Sequence, residues 1–194
     1  MKILIKNGRI ADPANSIDTA QDLLIEKGKI AKIGKGLKAD GADIIDAKGM
    51  IIAPALIDMH SHLRQPGRED KETFASGSKA AAKGGFATIC AMPNTEPVCD
   101  NRGAVEYILS EARKVSSVNI LPIGAVTKGQ KGGEMAEIGD MKAAGAVAIS
   151  DDGSSVRNTQ LLRRALEYSK MFDMLVISHC EDDALSAKGV MNEG

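Results

Sequence analysis

From Met50 onward, short apolar runs alternate with longer stretches that begin near polar residues and end at glycine. That rhythm predicts parallel strands joined by crossover helices. The strands fall at MIIAPALIDMH, FATICAM, VNILPIGAV, AVAIS and MLVIS. The helices are predicted over residues 72–83, closed by Gly84-Gly85, and around 101–114, 134–143 and 158–171. The first part of the chain has a different grain. KILIK, Asn7-Gly8, DLLIEKGKIAKIG and ADIIDAKG are short apolar or alternating segments broken by turn residues, which predicts antiparallel strands and hairpins. Two regions are therefore expected: residues 1–52 as a small β portion, and residues 53–194 as an α/β portion.

An α/β barrel of eight units needs roughly 250 residues, so the stretch from Met50 onward is expected to form only about the first half of a TIM-type barrel and to stop mid-fold. An open doubly wound sheet is the competing architecture, but it ordinarily places a glycine-rich phosphate loop after its first strand. Here that strand runs into HSHLR. The glycine- and lysine-rich stretch TKGQKGGEMAE lacks the GxxxxGK[ST] order that cradles phosphate and is read as a mobile loop.

Composition narrows the functional classes. With 43% hydrophobic and 26% charged residues the chain can build a core. A net charge of −1 with scattered basic residues offers no positive surface for nucleic acid or anionic lipid, which leaves a small molecule as the expected partner. No apolar run is long enough to span a membrane, and MKILIKNGRI lacks the apolar stretch of a secretory signal, so a cytoplasmic location is expected. Cys90, Cys99 and Cys180 are far apart, without a CxxC pair, and are read as small buried hydrophobes rather than disulfide or zinc-knot partners.

All three histidines of the chain stand at predicted strand ends: His60 and His62 after the first, His179 after the fifth. Side chains two apart in a strand share a face, so His60 and His62 can hold one ion from the same side. Parallel strand ends gather on one rim, where His179 can join them, and imidazole suits zinc. The fourth strand ends in Ser150-Asp151-Asp152-Gly153. Neighbours in an extended segment point oppositely, so one aspartate should face the ions while the other orients backbone or loop groups, and spacing alone does not choose between them. Arg64, just past the HxH pair, has the planar geometry to clamp a carboxylate. Asn94, after the second strand, puts an amide on the same rim to hydrogen-bond a substrate.

DMHSHLRQPG, AMPNTEP, ISDDG and SHCEDD, in this order and spacing, resemble the type I bacterial dihydroorotases of the amidohydrolase superfamily, and the likeness runs over essentially the whole chain. The resemblance implies a distorted eight-stranded α/β barrel with a small β-sandwich, the latter formed by the first fifty residues and a C-terminal segment. It implies two zinc ions, with His60 and His62 on the first, Asp152 bridging, His179 on the second and Asp151 supporting from behind. Arg64 and Asn94 match positions that grip the substrate carboxylate. The implied reaction is reversible ring closure of N-carbamoyl-L-aspartate to L-dihydroorotate in pyrimidine biosynthesis, with metal coordination supplying the nucleophile and the polarised carbonyl. A homodimer and an assembly with aspartate transcarbamoylase are implied partners.

Two departures stand out. Ala55 occupies the usual glycine position after the strand proline. The further histidine and the general acid or base aspartate that complete the family site are expected beyond Gly194, so no proton-transfer residue is assigned here. Two other readings compete. Hydantoinases, dihydropyrimidinases and allantoinases share the barrel and HxH but bridge their metals with a carbamylated lysine, where this chain has ISDDG. A catalytically silent homologue scaffolding aspartate transcarbamoylase would be expected to have lost metal-binding histidines, and those of this half are all present.

Overall fold

The computed structural model describes residues 1–186 and 189, which form two compact units, Met1–Ala55 and Leu56–Gly194. The first unit is a mixed sheet of β1 (Lys2–Asp12), β2 (Ile17–Glu26), β3 (Lys29–Gly34), β4 (Asp43–Asp46) and β5 (Ile51–Ile52). β2 and β3 are joined as expected by a tight turn, with positive φ at both Lys27 (51°) and Gly28 (75°), the signature of a type I′ hairpin.

Two expectations for this unit are corrected. Asn7-Gly8 is no hairpin turn; it lies inside β1, where the register with β2 shifts between Ile5 and Gly8. Asn7 takes φ 65°, its N–H donates to Asp22 Oδ1 at 3.1 Å and its amide donates to Asp46 Oδ1 at 2.9 Å. These two aspartates make a kink within a strand as well satisfied as a turn would be. β4 and β5 also pair with β1 in parallel, not antiparallel, because the chain returns to the far edge of β1 by a crossover.

The second unit holds one parallel sheet in sequential order: β6 (Leu56–Ser61), β7 (Phe86–Ala91), β8 (Asn119–Gly124), β9 (Ala148–Ser150) and β10 (Leu175–Ile177). Helices α1 (Phe74–Lys83), α2 (Arg102–Val115), α3 (Ile138–Ala144) and α4 (Thr159–Ser169) are the crossovers, and a short α5 (Asp183–Ser186) follows β10. The sheet curls as a half-barrel, the five-strand, four-helix alternation read from the sequence. The apolar run MIIAPALIDMH is divided, however: Ile51–Ile52 belongs to the first unit, Leu56–Ser61 to the second, and Pro54, which has no N–H to give a ladder, lies between them.

Local chemistry sets the helix starts. Thr73 caps α1 through Ser76 N–H in a reciprocal capping box, Asn101 caps α2, and Asn158 accepts from Gln160 and Leu161 N–H at the head of α4. α3 begins at Ile138 rather than near residue 134, because the preceding TKGQKGGEMAE segment is occupied otherwise. That segment, expected as a mobile loop, carries hydrogen bonds of its own: Lys128 N–H donates to Glu134 O (2.9 Å), Gly129 N–H to Asp100 Oδ2 (2.7 Å) and Gly132 N–H to Thr127 Oγ1 (2.9 Å).

Period-2 alternation in the strands builds two apolar layers. Ile89, Ala91, Ile120 and Ile149 pack with Phe74, Val105, Ile108, Ile138, Met141 and Ala165 of the helices. Cys90, Ile123 and Ala148 of the strands form a smaller cluster with Met92, which follows β7. Cys90 and Cys99 are buried, but Cys180 is exposed, because it follows β10 instead of lying within it. Among the described residues no helix is long and apolar enough to cross a membrane.

Candidate metal centre

The ends of β6, β7, β9 and β10 converge on Asp152. His60 Nε2 lies 3.2 Å from Asp152 Oδ1, His62 Nε2 lies 3.4 Å from Oδ2, and His179 Nδ1 lies 3.5 Å from Oδ1. The ligand atoms of His60, His62 and Asp152 all stand within 4.8 Å of one another, so these three could hold a metal ion. The rings of His60 and His62 meet edge to face with centroids 5.1 Å apart. The side chain of Asp152 is only 9% exposed, whereas that of His60 is 49% exposed.

Each of these groups is held by a neighbour. Asp58 accepts the backbone N–H of His60 (3.0 Å) and the hydroxyl of Ser61 (2.7 Å), which fixes the end of β6. Asn94 stands between two of the group: its Oδ1 is 3.0 Å from His62 Nδ1, and its Nδ2 donates to Asp152 Oδ2 at 3.2 Å. His179 Nε2 lies 2.9 Å from Glu181 Oε2, and the imidazole holds the Glu181 carboxyl below the usual carboxylate range.

Asp151 points away from the histidines. Its carboxylate is buried and accepts the N–H groups of Val126 (2.7 Å) and Thr127 (3.1 Å) together with the Thr127 hydroxyl. Burial pushes its pKa up, and the hydrogen bonds from Thr127 and Val126 draw it partly back. The neighbouring pair thus divides its work: Asp151 ties the β8 and β9 ends together, and Asp152 is turned toward the histidines. Gln130 Nε2 adds a hydrogen bond to the Asp152 carbonyl at 3.1 Å.

Arg64 is half-buried at the same rim with φ 56°, its carbonyl accepts Arg68 N–H, and among the described residues its guanidinium has no carboxylate partner. The loop that carries it is pinned at both ends. Gln65 Oε1 accepts Phe74 N–H at the start of α1 (2.9 Å), and Pro66 O accepts Glu96 N–H (3.0 Å). Gly67 packs so closely on the loop after β7 that a Cβ would fall 2.2 Å from Glu96 O, at a φ of 98°, so glycine is required there.

The structure therefore brings together His60, His62 and Asp152 with His179 and Asn94 beside them, sets Asp151 behind, and leaves Arg64 on the rim without touching the group. Sequence reasoning missed Thr127, Gln130, Asp58 and Glu181. Thr127 stands just past β8, a strand-end position like those of the other site residues, and that placement was the one available signal for it.

Residues 49–194 match the family model described as Dihydro-orotase-like. The chain is 53% identical over 192 residues to a dihydroorotase of Acetivibrio thermocellus, covering 99% of this chain and 45% of the relative. It is 54% identical over 194 residues to a dihydroorotase of Solibacter usitatus, covering 100% of this chain and 45% of that one. It thus spans somewhat less than half the length of the curated relatives it matches. Among solved structures it resembles the L-hydantoinase (dihydropyrimidinase) of Arthrobacter aurescens with a TM-score of 0.83 at 23% identity, over 96% of this chain and 43% of that one. A D-hydantoinase gives 0.78 at 28% identity, over 98% and 43%. A dihydroorotase crystal structure gives 0.60 at 15% identity, over 90% and 50%. The half-barrel is the fold these structures share with it, and from the family match and the curated relatives the chain belongs to the dihydroorotase-like family.

Proposed function

We propose that this chain supplies the metal-binding strands of a zinc-dependent dihydroorotase, which interconverts N-carbamoyl-L-aspartate and L-dihydroorotate. The observation that carries the reading is the convergence of His60, His62 and Asp152 from β6 and β9 within 4.8 Å, in a chain whose relatives at 53% and 54% identity are dihydroorotases. The donor set fits zinc: two imidazole nitrogens and a carboxylate are borderline-soft and hard ligands of the kind zinc takes. His60 and His62 would hold one ion, Asp152 would bridge toward a second, and His179 would serve that second ion. Zinc, when bound, activates water at neutral pH and polarises the carbonyl of the ring amide.

The chain's own residues do the rest. Asp152 is presented with both oxygens toward the histidines: Asn94 donates to its carboxylate, Gln130 to its backbone carbonyl, and Asp151 anchors the adjoining backbone to Val126 and Thr127. Arg64, free of a carboxylate partner among the described residues, is poised to clamp the substrate carboxylate, and Asn94 lies on the same rim to share that work. Asp151 is no proton carrier, since three donors from Val126 and Thr127 occupy its oxygens. The proton-transfer aspartate belongs, on the family resemblance, to a segment beyond Gly194. A homodimer, assembly with aspartate transcarbamoylase and a cytoplasmic location are part of the same reading; the first two rest on the resemblance, and three free cysteines suit the third.

The structural likeness to hydantoinases supports one alternative, a hydantoinase-type cyclic amidohydrolase. It is disfavoured because β9 ends in Ser150-Asp151-Asp152, with no lysine to carbamylate, and because the hydantoin ring carries no carboxylate for Arg64 to clamp. The test is to assay the complete protein on dihydroorotate, hydantoin and dihydrouracil while measuring bound zinc. Turnover of dihydroorotate with zinc present is expected, and preference for hydantoin would overturn the reading. Arg64→Met is expected to lower kcat/KM for dihydroorotate on the order of 100-fold, about 3 kcal/mol for a lost charge-assisted pair, with zinc content unchanged. An unchanged kcat/KM would remove Arg64 from the substrate site.

A further inference from the structure

We infer that Asn94 is a positioning residue of the metal centre, which fixes the ring orientation and proton placement of His62 before any substrate arrives. The inference rests on the metal reading above and goes beyond the substrate contact that the resemblance implies for this residue. Its basis is the place of Asn94, whose one amide bridges His62 and Asp152. The Asn94 NH2 group donates to Asp152 Oδ2 at 3.2 Å, an oxygen that serves it as acceptor. The amide oxygen then faces His62 Nδ1 at 3.0 Å and can only accept as well. Nδ1 is thus the nitrogen that donates to Asn94, and Nε2, 3.4 Å from Asp152 and within the three-residue group, is the one turned toward an ion.

Asn94 thus couples two candidate ligands that arrive from different strands, His62 from the end of β6 and Asp152 from the end of β9, through one short side chain. In histidine ligands of metals the nitrogen away from the ion commonly donates to an oxygen that sets the tautomer, and loss of such a partner typically costs 10–100-fold in metal affinity. Here an amide carbonyl fills that place. The NH2 group has a second hydrogen beyond the one given to Asp152, so a substrate contact and the positioning role are compatible.

The experiment uses the complete protein, stripped of metal and held at a pH where its histidines are neutral. Proton–nitrogen correlation spectra of the histidine side chains are expected to show His62 in the Nδ1–H form. In Asn94→Leu, which matches the shape but can neither donate nor accept, His62 is expected to lose that form. Zinc affinity, read by competition with a chelating dye, is expected to weaken 10–100-fold. Wild-type zinc affinity in Asn94→Leu, with only KM for dihydroorotate raised, would make Asn94 a substrate contact alone and overturn the inference. Should the leucine variant not fold, the wild-type spectrum decides: His62 found with its proton on Nε2 overturns the assignment without any mutation. A wild-type protein that binds no zinc, yet shows the Nδ1–H form, sinks the metal reading and leaves the hydrogen-bond assignment intact.

Discussion

The middle of the parallel sheet and its two outer strands are built to different standards. Ile123 on β8 and Ile149 on β9 have no exposed surface, and the strand-end carboxylate there, Asp151, has its oxygens taken up by Val126 and Thr127. β6, by contrast, leaves Leu56, Ile57 and Met59 more than half exposed, β10 does the same with Leu175, and a cavity of about 340 Å³ lined by His60, His62 and Glu72 opens beside β6. Yet all three histidines belong to these outer strands and their ends. The comparison teaches that the centre supplies rigidity and the buried carboxylate of Asp152, while the edges bring the three histidines to it. Edge strands with unpaired backbone and exposed apolar side chains need cover, and the curated relatives are about twice as long as this chain.

The largest effect expected from that contrast concerns the edges as a whole. The 194-residue chain expressed by itself should aggregate and show no dihydroorotate turnover, whereas joined to the remaining length of the family it should be soluble and active. Robust turnover by the 194 residues alone would refute the half-barrel reading. Next in size, His60→Ala or His62→Ala in the complete protein should remove most bound zinc and most activity together, with little change in the folding of the central strands. Metal analysis returning the wild-type zinc content in either variant would count against the ligand assignment.

A smaller effect is expected at the centre. Asp151→Ala strands two buried N–H groups and the Thr127 hydroxyl, and should destabilise the protein by about 3 kcal/mol in denaturant titration. A loss below roughly 0.5 kcal/mol, the range of an ordinary surface change, would mean that Asp151 does not lock β8 to β9. The smallest perturbation is chemical. Burial pushes the Cys99 thiol up to about 12, so it stays protonated and unreactive at pH 8, whereas exposed Cys180 should be alkylated by iodoacetamide. Mass spectrometry finding label on Cys99 before Cys180 would show that the centre opens more readily than the edge.

What the amino-acid order determined by itself was the alternation of elements and the positions of the chemistry along it. Apolar runs of strand length separated by capped amphipathic segments allow little besides parallel β/α units, and His60, His62 and His179 are legible because strand ends of one sense share a rim. Local turn chemistry was less reliable: Lys27-Gly28 makes its hairpin, but Asn7-Gly8 is absorbed into β1, since Asp22 accepts the Asn7 backbone N–H and Asp46 its side-chain amide, both distant in sequence. Exposure of Cys180 and the build of the TKGQKGGEMAE loop were likewise invisible, for each depends on which groups arrive from elsewhere in the chain. The choice between Asp151 and Asp152 shows the limit most clearly. Period-2 geometry says that the two point apart but not which way. The direction is decided by the end of β8, which delivers the N–H groups of Val126 and Thr127 to Asp151, and by Asn94 from the end of β7, which holds Asp152 toward the histidines. Those donors lie about 25 and 58 residues from the carboxylates they hold, and only the tertiary structure makes them neighbours.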